Sequence, residues 1–149
     1  MKKSPVDLTL NIHVACEQES IPSNADIRTW VLAALNGRSP SAEIGIRIVS
    51  ENEMGELNHN YRHKQGPTNI LSFAYSQSPL SGDMAICASI VNQEATSLGI
   101  EKTAHWAHIL VHGVLHLLGF DHEKEDEAEL MENLETAILA KLGVSNPYE

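Results

Sequence analysis

Apolar and polar residues alternate at Leu8, Leu10, Ile12 and Val14, and again at Ile44, Ile46 and Ile48, which is the two-residue period of a strand buried on one face. Between these runs the period lengthens. Ile27, Trp30, Val31, Ala34 and Leu35 fall on one face of a helix, with Ser23 or Asn24 placed to cap its start and Gly37 to stop it. Ser50-Glu51-Asn52-Glu53 has the capping-box form S-x-x-E, and Met54, Leu57 and Tyr61 then mark the inner face of a short helix ending near Arg62. Two short apolar runs, Ile70-Leu71-Ser72-Phe73 and Met84-Ala85-Ile86-Cys87, are separated by Ser-Pro and Ser-Gly turn signals and are predicted as strands. A helix over 89–98 is closed by Gly99. Thr103 is predicted to cap an apolar helix that runs to Leu118 and stops at a left-handed Gly119, and a charged helix follows from about Lys124 to Leu142. The pattern predicts an α+β chain, a single domain over 1–149, with a small mixed sheet of about four strands covered by about five helices.

Composition agrees with one folded core: 149 residues, 42% of them hydrophobic and 20% charged. After Lys2 and Lys3 come Pro5 and Asp7 rather than the apolar stretch of a signal peptide, and no run nears the roughly 18 apolar residues of a membrane span. Cys16 and Cys87 form no CxxC pair and are predicted as buried thiols. These features predict a cytoplasmic protein with no membrane partner. The net charge of −10 changes the picture more. Proteins that hold nucleic acid by bulk electrostatics are basic, so any phosphate contact here must come from a local cluster, and Arg62 with Lys64 is the candidate.

The chemistry concentrates in His112-Gly113-Val114-Leu115-His116-Leu117-Leu118-Gly119-Phe120-Asp121-His122, with the spacing H-x3-H-x5-H. Residues four apart on a helix lie one turn apart on the same face, so His112 and His116 can reach one ion, and a turn at Gly119 brings His122 back towards them. Histidines four apart also occur by accident. With this histidine and glycine content, however, the whole pattern arises about once per thousand chains. Three neutral imidazoles predict one zinc in an open, hydrolytic site, whose fourth position holds a water with its pKa lowered to roughly 7.

The remaining histidines carry less. His105 and His108 lack a glycine turn to recruit a third ligand and read as helix-surface or supporting residues. His13 reads as solvent-facing, and His59 and His63 as solvated neighbours of Arg62. Asp121 could orient an imidazole or simply serve the turn. The acidic run 123–135 reads as the solvated face of the last helix. Metzincin peptidases share the histidine spacing but place a glutamate directly after the first histidine. Gly113 stands there instead, which removes a proton acceptor typically worth about 10²–10⁴ in rate.

The histidine segment resembles the signature of the YbeY family, metal-dependent bacterial endoribonucleases that take part in ribosomal RNA maturation. The segment from Leu57 to Phe73, including Arg62-His63-Lys64 and Pro67-Thr68-Asn69, is similar to the family's second block, and Gly82-Asp83-Met84-Ala85-Ile86-Cys87 to its third. The resemblance covers roughly residues 7–148. It implies a small sheet covered by helices, zinc on His112, His116 and His122, and Arg62 facing the metal cleft. It also implies single-stranded RNA as substrate, ribosomal RNA above all, with the small ribosomal subunit as partner and no role for DNA. Ala74 departs from the proline that often follows Ser-Phe, and Gln65-Gly66 from the charged residues common before Pro-Thr.

Apart from the resemblance, a guanidinium at position 62 can pair bidentately with phosphate and stabilise charge that develops as a phosphodiester is attacked. It could equally be a surface arginine ending a helix. Lys64 is a second candidate for the same groove. Two other functions suit the residues: a non-catalytic ribosome-assembly factor with a structural zinc, and a zinc hydrolase of small esters or peptides.

Overall fold

The computed structural model describes residues 5–17, 19–120 and 124–148. The chain alternates β1 (Asp7–Val14), α1 (Asn24–Leu35), β2 (Ser41–Val49), α2 (Glu51–Arg62), β3 (Ile70–Gln77), β4 (Leu80–Cys87), α3 (Ala88–Leu98), α4 (Lys102–Leu117) and α5 (Glu125–Lys141). The four strands form one mixed sheet in the order β1-β2-β4-β3. β1 and β4 run parallel to the central β2, and β3 lies antiparallel to β4 at the edge. This is the α+β fold the pattern predicts.

Period-2 alternation sends the sheet's side chains to two separate cores. Ile44, Ile46, Ile48, Met84 and Ile86 join a large core with α1, α4 and α5, while Val49, Leu71, Ala85 and Cys87 meet Met54 of α2 in a smaller one. Cys87 is buried and Cys16 partly so, and both are free thiols. Ser23 and Ser50 cap α1 and α2 through their hydroxyls, accepting from the backbone N–H groups of Asp26 and Glu53. α4 differs from expectation. It starts at Lys102 with Glu101 before it, and no side chain caps it, so Thr103 lies inside its first turn. Burial of nearly the whole helix, from His105 to Leu117, stabilises α4 without a cap. Among the described residues no helix is long and apolar enough to cross a membrane.

The Ser-Pro signal is the hairpin turn between Gln77 and Leu80, but Ser81-Gly82 is not a turn. It continues β4, where Gly82 pairs with Ile44 on one side and Ala74 on the other. Glycine is needed there for close approach, because a Cβ would fall 2.7 Å from Leu117 Cδ2 and 2.8 Å from the Phe73 carbonyl oxygen. The partner surface is cut away in the same manner: a Cβ on Gly113 of α4 would fall 2.6 Å from both Ile70 Cδ1 and Met84 Sδ. Ser72 Oγ donates to the Gly113 carbonyl and Gln77 Nε2 to the Leu117 carbonyl, so β3 and α4 are also joined by hydrogen bonds.

Alanine is the better helix former by about 1 kcal/mol, yet Gly113→Ala should destabilise the protein by about 1–3 kcal/mol through overpacking. Gly82→Ala should cost at least as much, because one of its clashes is with backbone. Urea denaturation of both variants checks this, and a Gly113→Ala protein more stable than the parent would show that α4 does not press on the sheet at this point.

Candidate metal centre and cleft

Four histidines, at positions 105, 108, 112 and 116, follow one another along one side of α4, with ring centroids 6.2, 6.4 and 4.6 Å apart in succession. Their surroundings divide them. His105 is 5% exposed and its Nε2 lies 2.9 Å from Glu94 Oε1 on α3, so of the two readings, helix-surface or supporting residue, burial rules out the first. His108 reaches the Tyr148 hydroxyl at 3.3 Å. Of these four, His112 and His116 open onto the cleft.

The Nε2 atoms of His112 and His116 face each other at 3.1 Å. Two imidazole nitrogens at tetrahedral angles on one zinc, each about 2.05 Å from it, stand about 3.3 Å apart, so the pair fits a shared cation. The helix stop that the motif requires follows directly. Gly119 takes φ 103°, its N–H bonds the His116 carbonyl, and the Phe120 N–H reaches back to Leu115. Asp121 and His122 lie outside the described residues. Among the described residues no three His, Cys, Asp or Glu side chains form a metal cluster.

His112 has a partner on its other nitrogen. Its Nδ1 lies 2.6 Å from Oε1 of Glu135, a fully buried carboxylate on α5. This corrects the reading of the acidic run as a solvated face: residues 125–127 are exposed, but Glu135 shares the inner stripe with Met131, Ile138 and Leu139. Burial pushes the Glu135 carboxyl upward, yet hydrogen bonds from His108, His112 and Tyr148 prevail and hold it at about 2. Tyr148 is pushed well above the usual phenol range, first by burial and then by donating to that carboxylate. The sequence did carry a signal for Glu135, an acidic residue at the 131, 135, 138, 139 spacing of an apolar helix face.

A cleft of about 620 Å³ runs from this pair between the end of α2 and the outer strand β3. Arg62 and Lys64 line it, with Asn58, Asn69, Ser72 and Phe120. Arg62 sits in the last turn of α2, exposed, and makes no ion pair among the described residues. His63 ends that helix in the left-handed region at φ 56°, and His59 and His63 are exposed, as expected. Two part-buried contacts set the cleft wall beyond it. Asn58 Nδ2 donates to the Gly66 carbonyl, and Asn69 Nδ2 donates to Glu94, the carboxylate that also meets His105.

Comparison with known proteins places this site in context. The endoribonuclease YbeY family profile matches residues 11–143. An endoribonuclease YbeY of Nitrosococcus oceani is 49% identical, over 97% of this chain and 99% of that protein. Those of Xanthomonas campestris and Xanthomonas axonopodis are 45% and 46% identical, over 99% of this chain and 98% of theirs. The solution structure of a Thermotoga maritima protein shares the fold with a TM-score of 0.60 at 19% identity, covering 95% of this chain and 99% of that one.

Glu94 joins the cleft wall to the core, so Glu94→Ala should leave His105 buried without its acceptor and lower stability by about 1–3 kcal/mol. Chemical denaturation measures the loss. A variant as stable as the parent would mean that the His105–Glu94 contact contributes nothing net.

Proposed function

The chain belongs to the endoribonuclease YbeY family, a family of enzymes that hydrolyse RNA, and from that membership we propose a zinc-dependent, single-strand-specific enzyme of ribosomal RNA maturation. In this reading His112, His116 and His122 hold one zinc, and Arg62, helped by Lys64, grips the scissile phosphate. The observation that carries it is the facing of two imidazole Nε2 atoms, 3.1 Å apart, at the lip of a cleft that Arg62, without an ion pair among the described residues, also lines. The family supplies RNA as substrate. Ribosomal RNA, the small ribosomal subunit as partner and action in the cytoplasm are parts of the proposal.

The division of work follows from the side chains. Arg62 presents a planar fork that binds two phosphate oxygens and meets the charge that grows on them during attack. Lys64 adds a point charge in the same groove. Asn69, just before β3, and Ser72 on it line the cleft with neutral polar groups whose oxygens face a bound RNA in this reading. A bound zinc supplies Lewis-acid stabilisation of the phosphate and lowers the pKa of a water or hydroxyl nucleophile.

Two measurements test this reading. Elemental analysis should give about one zinc per chain in the parent and little in His116→Ala. Full occupancy in a protein lacking both His112 and His116 would remove the site. Arg62→Ala should cut the rate of RNA cleavage by about 10²–10³, the usual loss of one preorganised donor to an anionic transition state, with zinc content and melting temperature little changed. Arg62→Lys should recover only part of the rate. Cleavage by Arg62→Ala at the parent's rate would leave Arg62 as a surface residue.

A further inference from the structure

Glu135 is costly where it stands. A carboxylate with no exposed surface, flanked on its helix by Met131, Ile138 and Leu139, forfeits its hydration, and an apolar side chain of similar volume is commonly as stable or more stable at such a position. What the carboxylate has in return is three hydrogen-bonding groups on its two oxygens. His112 Nδ1 lies on Oε1, the Tyr148 hydroxyl on Oε2 at 2.5 Å, and His108 Nε2 within 3.5 Å of Oε2 and 3.3 Å of the tyrosine oxygen. Tyr148 is brought there by a dedicated fold of the segment after α5. Asn146 Oδ1 accepts from the Tyr148 N–H at 2.8 Å and lies 3.4 Å from Thr136 Oγ1 of α5, and the tyrosine ring sits against His108 at 5.5 Å between centroids.

We infer that Glu135 and Tyr148 are positioning residues for His112, the tyrosine of the C-terminal segment locking the carboxylate that sets the orientation and tautomer of the imidazole. An ionised carboxylate only accepts, so the proton of a neutral His112 ring resides on Nδ1 and the lone pair on Nε2, the nitrogen that faces His116. A carboxylate on the far nitrogen of a metal-binding histidine also raises the basicity of the ligand, and its loss typically weakens metal binding 10–100-fold. The segment 142–148 therefore acts on the metal centre through the Glu135 carboxylate. This inference rests on the metal reading proposed above.

The test uses the full chain and compares the parent with Glu135→Gln, Tyr148→Phe and the double variant. Zinc affinity is measured by competition with a chromophoric chelator, melting temperature is measured on the metal-free proteins, and the His112 tautomer is read from its imidazole ¹⁵N shifts without metal. Glu135→Gln should weaken zinc binding 10–100-fold and convert a single Nδ1-protonated ring into a mixture of tautomers. Tyr148→Phe, which removes one oxygen atom from the segment and leaves the His112 contact in place, should weaken binding several-fold. Because the tyrosine acts through the carboxylate, the double variant should bind no more weakly than Glu135→Gln alone. If Glu135→Gln does not fold, Tyr148→Phe decides the matter. Folded variants that bind zinc within twofold of the parent, with an unchanged tautomer, would overturn the inference. A parent that takes up no zinc would instead sink the metal reading, and the inference with it.

Discussion

The structure depends on how closely α4 lies against β3 and β4. Contact is made through two absent side chains, Gly113 on the helix and Gly82 on the strand, each of which would collide with its opposite element if it carried a Cβ. Pressing position 113 onto the sheet fixes the rotation of the whole helix. At about 100° per residue, positions 112 and 116 lie about 100° and 60° round from Gly113, on the same side. They emerge at the flank of the helix, where the sheet ends at β3 and the cleft begins. The same geometry disposes of a peptidase-like base at position 113. A glutamate there would point into Ile70 and Met84, not towards the histidine pair, so the glycine is a packing requirement as well as a missing acid.

A chain with net charge −10 that acts on RNA must concentrate its attraction. Among the described residues the cations lining the cleft are Arg62 and Lys64, and Arg62 makes no ion pair there. Arg47, by contrast, is committed to Glu53, a pairing that holds the Glu53 carboxyl below the usual range. An acidic surface with a local guanidinium gives little non-specific affinity for a duplex or a long polyanion, because that affinity scales with the number of phosphates neutralised.

Much of this was legible in the residues. The alternation at 8–14 and 44–48, the S-x-x-E start at Ser50 and the glycine stops at 99 and 119 each name an element through local physics, and each element formed, although Tyr61, read on the inner face of α2, is exposed and the Glu53 carboxylate pairs with Arg47 instead of closing the box. The pair His112 and His116 was legible because four residues make a helical turn. What was not legible depended on contacts distant in sequence. Ser81-Gly82 reads as a turn until Leu117 is known to pack on Gly82. His105 reads as a helix-surface or supporting residue, and only Glu94 arriving from α3 removes the first alternative. Glu135 belongs to a charged run in composition but to the inner stripe in position, and the run outweighed the spacing. His122 and Asp121 lie outside the described residues, so the third position of the motif rests on sequence.

Glu135 also bears on how stability and function are divided in this fold. The large core accounts for its own stability: α4 is buried along nearly its whole length with apolar partners on α1, α5 and the sheet. A single buried carboxylate at the α4–α5 interface adds a desolvation penalty, which the donors around it offset only while all of them are in place. Such a group makes the interface specific, because α5 can dock on α4 with satisfied hydrogen bonds in one register, the one that puts Oε1 on His112. That register orients the ring as well, so the helix packing and the aim of the imidazole are set by the same contact. The chemistry of the cleft and the assembly of the last two helices are thereby coupled through an atom that lies outside the cleft.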